Sequence, residues 1–253
     1  MALQLEFKTK GVMVTHGATG LGRRIAAAFH EFGATVALHD SSSAKVDATL
    51  RELGGGSRLK AAPGDLSNVA DIRQIVDKAI ADLGRLDVVV CLGTQASLRV
   101  IERIDEDYFG QVLGENTKQA FFVTQACVPA LRATRGSVVH VASTVGLVGG
   151  PKGAVGYATA SGAMMQMTRM MALELSGDGI RVNTVCPASA EARDPAAAAI
   201  YAEYFSKRSP LGRVAMPDEI ATAVLYLATP MSGYTTGATL VVDGGITSGH
   251  YVS

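Results

Sequence analysis

Tryptophan is absent from this chain, and cysteine nearly so: only Cys91, Cys127 and Cys186 occur, odd in number and far apart. No Cys-x-x-Cys pair or Cys/His cluster can be drawn from them, which argues against a disulfide framework and a metal site. A reduced, cytosolic protein is the simple expectation. A surplus of charge is also missing. Lys+Arg and Asp+Glu are 23 each, with no run of either sign, so nothing points to nucleic acid or an anionic membrane surface. No apolar run approaches membrane-spanning length. The first ten residues carry charges where a signal peptide needs an apolar core. These absences leave a protein that deals with small molecules.

What is present is apolar residues and glycine. At 253 residues and 48% hydrophobic, the chain can bury a large core, as one α/β domain or two small ones. Gly11 to Thr15 reads as a buried first strand. It meets a glycine-rich turn, His16-Gly17-Ala18-Thr19-Gly20-Leu21-Gly22, and then a helix with Ile25, Ala26, Ala28 and Phe29 at helical spacing and Gly33 as its stop. Thr35 to His39 is a second buried strand, ending at Asp40. In this order the parts suit a dinucleotide. Glycines let backbone N–H groups and a helix N-terminus approach a pyrophosphate, and an acid about twenty residues on accepts hydrogen bonds from a ribose. The plainer alternative is an ordinary glycine turn, with Asp40 capping the next helix.

The alternation continues. Ser57 to Ala61 reads as a third strand. Ser67 is placed to cap a helix lined by Val69, Ile72, Val76, Ala79, Ile80 and Leu83, with Gly84 as its stop. Leu86 to Leu92 reads as a fourth strand, near-continuously apolar, as in a parallel sheet covered on both faces. A helical region from Asp105 to Ala133, broken near Gly114, precedes a strand from Ser137 to Ala142. Tyr157 to Leu175 is helical and Ile180 to Cys186 a strand. Asp194 to Lys207 forms a small helical lid within a segment of about 188–213. Pro217 starts a helix to Ala228, and Thr239 to Val242 is the seventh strand. One α/β domain over residues 1–253 is expected: a doubly wound, Rossmann-type, seven-stranded parallel sheet with helices on both faces. Thr15, Asp40, Asp65, Gly93, Ser143 and Pro187 then fall at the carboxyl ends of strands, where ligands bind.

With these residues the chain resembles the short-chain dehydrogenase/reductase family over nearly its whole length. The matching positions are Thr15 and Gly20-x-Gly22, Asp65-Leu66, Asn116, Ser143-x-x-Gly146, Tyr157, Val182-Asn183 with Pro187, Pro210 to Arg213, Pro217 to Ala221 and Asp243-Gly244-Gly245. The resemblance implies a nicotinamide cofactor, a small-molecule substrate, and a homotetramer built through the Tyr157 helix. That helix holds Met164, Met165, Met167, Met170 and Met171, which suit an interface and suit core packing equally. By the same resemblance Tyr157 is the general acid/base, Ser143 hydrogen-bonds the reacting oxygen, and Asn116 holds a water in a proton relay. Asp65 and Leu66 meet the adenine. Asp40 favours NAD over NADP, since a carboxylate repels a 2′-phosphate, and the neutral Thr19 agrees. His16, Gly17, Leu21, Gly93, Ser161 and Pro187 complete the cofactor surface.

The departures gather at the nicotinamide half. Where the family carries lysine, four residues after the tyrosine, this chain has Ser161. The lysine bonds the nicotinamide ribose and lowers the tyrosine pKa, which unperturbed is about 10. His16 replaces the first glycine of the turn, Cys91-Leu92-Gly93-Thr94 replaces Asn-Asn-Ala-Gly, and Pro187-Ala188 replaces Pro-Gly. Ala192 stands where a threonine is expected, His140 where Asn is usual, and one extra residue separates Ser143 from Tyr157. His16 either pairs with phosphate as a cation or is a neutral residue at an unusual backbone angle, the latter favoured. Lys118 and Lys152 are candidates to supply the missing charge. His30, His39 and His250 have no partner visible in sequence. Three functions remain open: an NAD-dependent oxidoreductase of altered or weakened activity on a small, fairly apolar substrate, a nucleotide-binding subunit without chemistry, and a non-redox catalyst on the same scaffold.

Overall fold

The computed structural model describes residues 5–93, 98–188 and 195–249. Thr94, Ala192, Asp194 and His250 lie outside them. Seven strands form one parallel sheet in the order β3-β2-β1-β4-β5-β6-β7. They are β1 (Gly11–Val14), β2 (Thr35–Leu38), β3 (Leu59–Ala61), β4 (Val88–Leu92), β5 (Ser137–Val141), β6 (Arg181–Pro187) and β7 (Thr239–Val242). The helices are α1 (Gly20–Glu31), α2 (Ser43–Glu52), α3 (Val69–Leu83), α4 (Glu106–Leu113), α5 (Gln119–Thr134), α6 (Val145–Val148), α7 (Val155–Leu175), α8 (Pro195–Arg208) and α9 (Pro217–Ala228).

Alternation along β1 explains the two-sided core. Val12 and Val14 face one way, into a cluster with Ile25, Phe29, Ile220 and Val224 of α1 and α9. Met13 faces the other way, toward Ile72, Val76, Val123 and Met164 of α3, α5 and α7. With both faces covered the central strands can be apolar throughout, as β1 and β4 are. β1 lies between β2 and β4, and there the strand order reverses. The crevice at this reversal, beyond the carboxyl ends of the strands, is where α/β sheets hold ligands.

Several local expectations change. Asn68, not Ser67, caps α3: its side chain accepts the N–H of Ala70 at 2.8 Å. Ser67 is engaged one turn earlier, donating its hydroxyl to Asp65 at 2.8 Å. The break near Gly114 is a single π turn, Gly114–Lys118, joining α4 to α5 without an interruption of the helical path. α6 was not anticipated, and α2 was expected only as the helix for Asp40 to cap, whereas Ser42 caps it. Among α2's residues only Val46 and Thr49 are buried, so its sequence carries little periodic signal, and α6 is a single turn. Pro217 does occupy the first position of α9, where Glu219 turns back to accept the Met216 N–H.

Candidate active site

The glycine turn is shaped by backbone contacts that side chains would obstruct. A Cβ on Gly22 would run into the His16 carbonyl, and Gly20 sits at φ 52 as α1 begins. Thr19 makes no side-chain cap to α1 and no acidic residue lies in the first turn, which suits an anion at this helix end. Leu21 packs its side chain into the core, so it can meet a ligand only through its backbone. Thr15 accepts the Leu92 N–H at 2.9 Å and ties β1 to the end of β4.

His16 is the position where glycine would be usual, and its φ of 50 is the left-handed conformation glycine prefers. Its ring Nε2 lies 3.1 Å from Gln119 Oε1 at the start of α5, and the ring stands edge-on to His39, with centroids 5.3 Å apart. The bland expectation, a turn residue at an unusual angle, fits this placement. Gly17 donates its N–H to the His39 carbonyl at 2.7 Å.

His39, partnerless in the sequence reading, is a hub. Its Nε2 lies 3.0 Å from the Gly64 carbonyl and its Nδ1 3.2 Å from the backbone N–H of His16. A carbonyl only accepts and an N–H only donates, so Nε2 carries the proton and the ring is neutral. Burial first, and the neighbouring His16 second, lower its pKa to about 4. The ring thus joins the glycine turn to the strand ends that present Asp40 and Asp65. Asp40 is buried at 7% exposure and accepts the Ser42 N–H at 3.1 Å. Asp65 accepts from Ser67 through both oxygens, and the Ser67 N–H and hydroxyl hold its carboxyl below the usual range. The Leu66 side chain belongs to the core.

Opposite this nucleotide-like half lies the second cluster of expected residues. Asn116 sits in the π turn, 3% exposed, its Nδ2 donating to the Val112 carbonyl at 2.9 Å. A Cβ on Gly93 would strike the Asn116 side chain, so glycine at the end of β4 is what lets the two meet. Ser143 follows β5 and is buried; Thr144 beside it donates its N–H to the Pro187 carbonyl at 3.2 Å. The first turn of α7 presents Tyr157, half-buried, in a cluster with Val145 and Ala188. Gly146 brings this loop onto the helix, for a Cβ there would come within 2.8 Å of the Cβ of Ser161. Ser161 is 2% exposed, under that contact.

Neither lysine is shown supplying charge to this place. Lys118 sends its Nζ to the Ser67 carbonyl, 3.3 Å away on the Asp65 side, and Lys152 is exposed. Behind Tyr157, α7 is bolted to the sheet by His140. Thr168 donates its single hydroxyl proton to the Met164 carbonyl at 2.9 Å, so toward His140 Nδ1, 2.7 Å away, it must accept. Thr184 also donates to Thr168, at 2.7 Å, and Thr124 meets the other ring nitrogen at 3.1 Å. His140 is therefore structural, as expected, and burial lowers its pKa to about 4. The three cysteines are buried and free. Among the described residues no helix is long and apolar enough to cross a membrane, and no metal-ligating cluster occurs.

Comparison with known proteins points to one family. A family model described as enoyl-(acyl carrier protein) reductase matches residues 17–247. The chain is 34% identical to a 3-oxoacyl-(acyl-carrier-protein) reductase of Thermotoga maritima, over 96% of this chain and 99% of the relative. It is 32% identical to a meso-2,3-butanediol dehydrogenase of Serratia marcescens, over 96% and 97%. It is 33% identical to an L-fucose dehydrogenase of Bos taurus, over 99% and 94%. A short-chain type dehydrogenase/reductase from Mycobacterium marinum superimposes with a TM-score of 0.89 at 29% identity, over 97% of this chain and 98% of that one. The protein belongs to the short-chain dehydrogenase/reductase family of oxidoreductases.

Proposed function

We propose that the protein is an NAD-dependent oxidoreductase that interconverts an alcohol and a carbonyl on a small, fairly apolar substrate. The observation that carries the reading is that Asn116 stands against Gly93 after β4, Ser143 follows β5, and Tyr157 clusters with Val145 and Ala188 after β5 and β6, while Asp40 and the glycine turn follow β2 and β1. The residues present fit the adenosine and pyrophosphate of the cofactor. Gly22 lets the turn close against the His16 carbonyl, the Thr19 side chain makes no cap to α1, and Asp40 offers a carboxylate to a ribose. Thr15, His16, Gly17, Gly20 and Leu21 would hold the phosphates, and Asp65 and Leu66 the adenine. Gly93, Ser161 and Pro187 would line the nicotinamide end. The cofactor, when bound, supplies or takes up the hydride.

The chain's own residues handle the proton. Tyr157 gives its hydroxyl proton to the carbonyl oxygen in reduction and takes one back in oxidation. Ser143 donates a hydrogen bond to the same oxygen, and Asn116 holds a water that reloads Tyr157. Ser161 brings no charge to lower the tyrosine pKa. Reduction needs the neutral phenol and is spared, whereas oxidation needs phenolate and rises steeply with pH. A panel of carbonyls with NADH and alcohols with NAD, assayed from about pH 6 to about pH 10, tests this. Reduction at neutral pH with oxidation confined to alkaline pH is expected. No turnover of either cofactor form at any pH would defeat the reading. Replacing Asp40 by Ala should shift preference toward NADP, because it removes the charge that repels a 2′-phosphate.

Ser161 itself favours a second reading, a nucleotide-binding subunit that has lost the chemistry. Activity that appears only in a Ser161→Lys variant would establish it. We further place the protein in the cytoplasm as a homotetramer. Three of the five methionines of α7 are buried in the core, but Met170 and, beyond them, Leu173 remain 48% and 71% exposed, an apolar stripe that suits a second copy. Light scattering at low micromolar concentration would measure the assembly.

A further inference from the structure

Tyr201 of α8 is fully buried, and its hydroxyl has no hydrogen-bond partner among the described residues. Burying a phenol without a partner for its hydroxyl costs free energy, and folded proteins rarely leave such a group unsatisfied without reason. Its location supplies one. The Tyr201 ring meets the Tyr157 ring edge-to-face, with centroids 6.3 Å apart and planes at 76°. Around them stand Val145, Ala154, Ala188 and Phe205, all apolar, so no side chain of this cluster other than another tyrosine can accept the proton. Burial above all, then the phenols of Tyr157 and Tyr108, raise the Tyr201 pKa well beyond that of a free tyrosine. The group therefore stays an O–H donor at any working pH. Tyr108 reaches the same space from α4, its ring beside Gly156 and under the Arg99 guanidinium at 4.0 Å. The other unpartnered buried side-chain atoms among the described residues, on His30 and Thr239, lie on α1 and β7.

We propose that the Tyr201 hydroxyl is the site's hydrogen-bond donor to a second oxygen of the substrate, so that the preferred substrates carry a hydroxyl or carbonyl on a carbon close to the one Tyr157 serves. The inference rests on the alcohol–carbonyl reading above and narrows it to dioxygenated compounds such as hydroxyketones and diols. Tyr157 takes the reacting oxygen; Tyr201, one ring away in an apolar cluster, takes the neighbouring one. A substrate lacking that oxygen leaves the phenol unsatisfied, which is how a buried polar group discriminates between substrates that differ by one hydroxyl.

The test uses matched ketones that differ by one hydroxyl, butanone against acetoin and acetophenone against its α-hydroxylated counterpart, with NADH and the full-length protein. Wild type should favour the hydroxylated member by about tenfold or more in kcat/KM. Tyr201→Phe, which removes only the oxygen, should erase that preference by bringing the hydroxylated member down to the plain ketone, and leave Tm unchanged or raised. Equal activity of wild type on both members, an equal loss on both in the variant, or a lowered Tm with the preference intact would overturn the proposal. If no ketone is turned over at all, the oxidoreductase reading fails separately, and binding decides. Acetoin should then raise the Tm of the wild type but not of Tyr201→Phe, and identical shifts would overturn the proposal.

Discussion

Ser161 lies beneath Gly146, its Cβ within contact range of any side chain placed there. Ser161 sits one helical turn beyond Tyr157 on the same face of α7. Replacing Ser161 by Lys is expected to bring a charge to the phenol and raise kcat/KM for alcohol oxidation at neutral pH by roughly tenfold or more, read from pH profiles of the two proteins. Tyr157→Phe should abolish both directions. Gly22→Ala tests the turn: the new methyl meets the His16 carbonyl, and we expect a loss of about 1–3 kcal/mol in stability together with weaker NAD binding, measured by urea denaturation and calorimetry. Chemistry-bearing residues at this scale were legible because each motif pairs a residue type with a strand end. His39 and Tyr201 were not. Their importance comes from partners 23 and 25 residues away, or from the lack of any partner, and neither leaves a mark in local sequence.

Single elements respond through their ends. Asn68→Ala removes the cap that accepts the Ala70 N–H and should cost about 1 kcal/mol, whereas Ser67→Ala, expected from sequence alone to do this, should instead loosen Asp65 and raise its depressed pKa toward the ordinary value. Arg135 ends α5 at φ 51. Glycine there relieves the left-handed strain, and Arg135→Gly should stabilise the protein by about 1 kcal/mol, measured as a higher Tm. Strand positions could be read from sequence, since most are short, largely apolar runs between turn residues, with β1 and β4 wholly apolar. The π turn could be read only as a break. Gly114 announces a weak point in the helix, but which carbonyls re-pair around Asn116 is set by packing against α7, where Thr117 donates to the Ala160 carbonyl at 3.1 Å.

For the whole molecule, two buried neutral histidines set a pH limit. His39 and His140 both fall from the ordinary 6.5 to about 4 on folding. Between these values the unfolded chain binds protons that the folded chain refuses. Stability is thus complete above about pH 6.5 and declines as the pH falls toward 4, by at most on the order of 3 kcal/mol per histidine. Urea midpoints measured across this range should slope downward to acid, and His140→Asn should flatten part of the slope. The overall architecture was evident in the alternation of elements, but this acid sensitivity was not, because burial of a histidine follows from the finished sheet rather than from its neighbours in sequence.

The strand order also fixes a sequence of events in time. Every pairing in the sheet except one joins strands that are consecutive in the chain; the exception, β1 with β4, joins Val12 to Val88. A chain emerging from the ribosome can lay down β1, β2 and β3 outward in one direction, close a single long loop, and then add β4 through β7 outward in the other. That closure is the costliest step in chain entropy. Substitutions that weaken the β1–β4 contact should slow refolding more than equally destabilising ones at β7, which joins last.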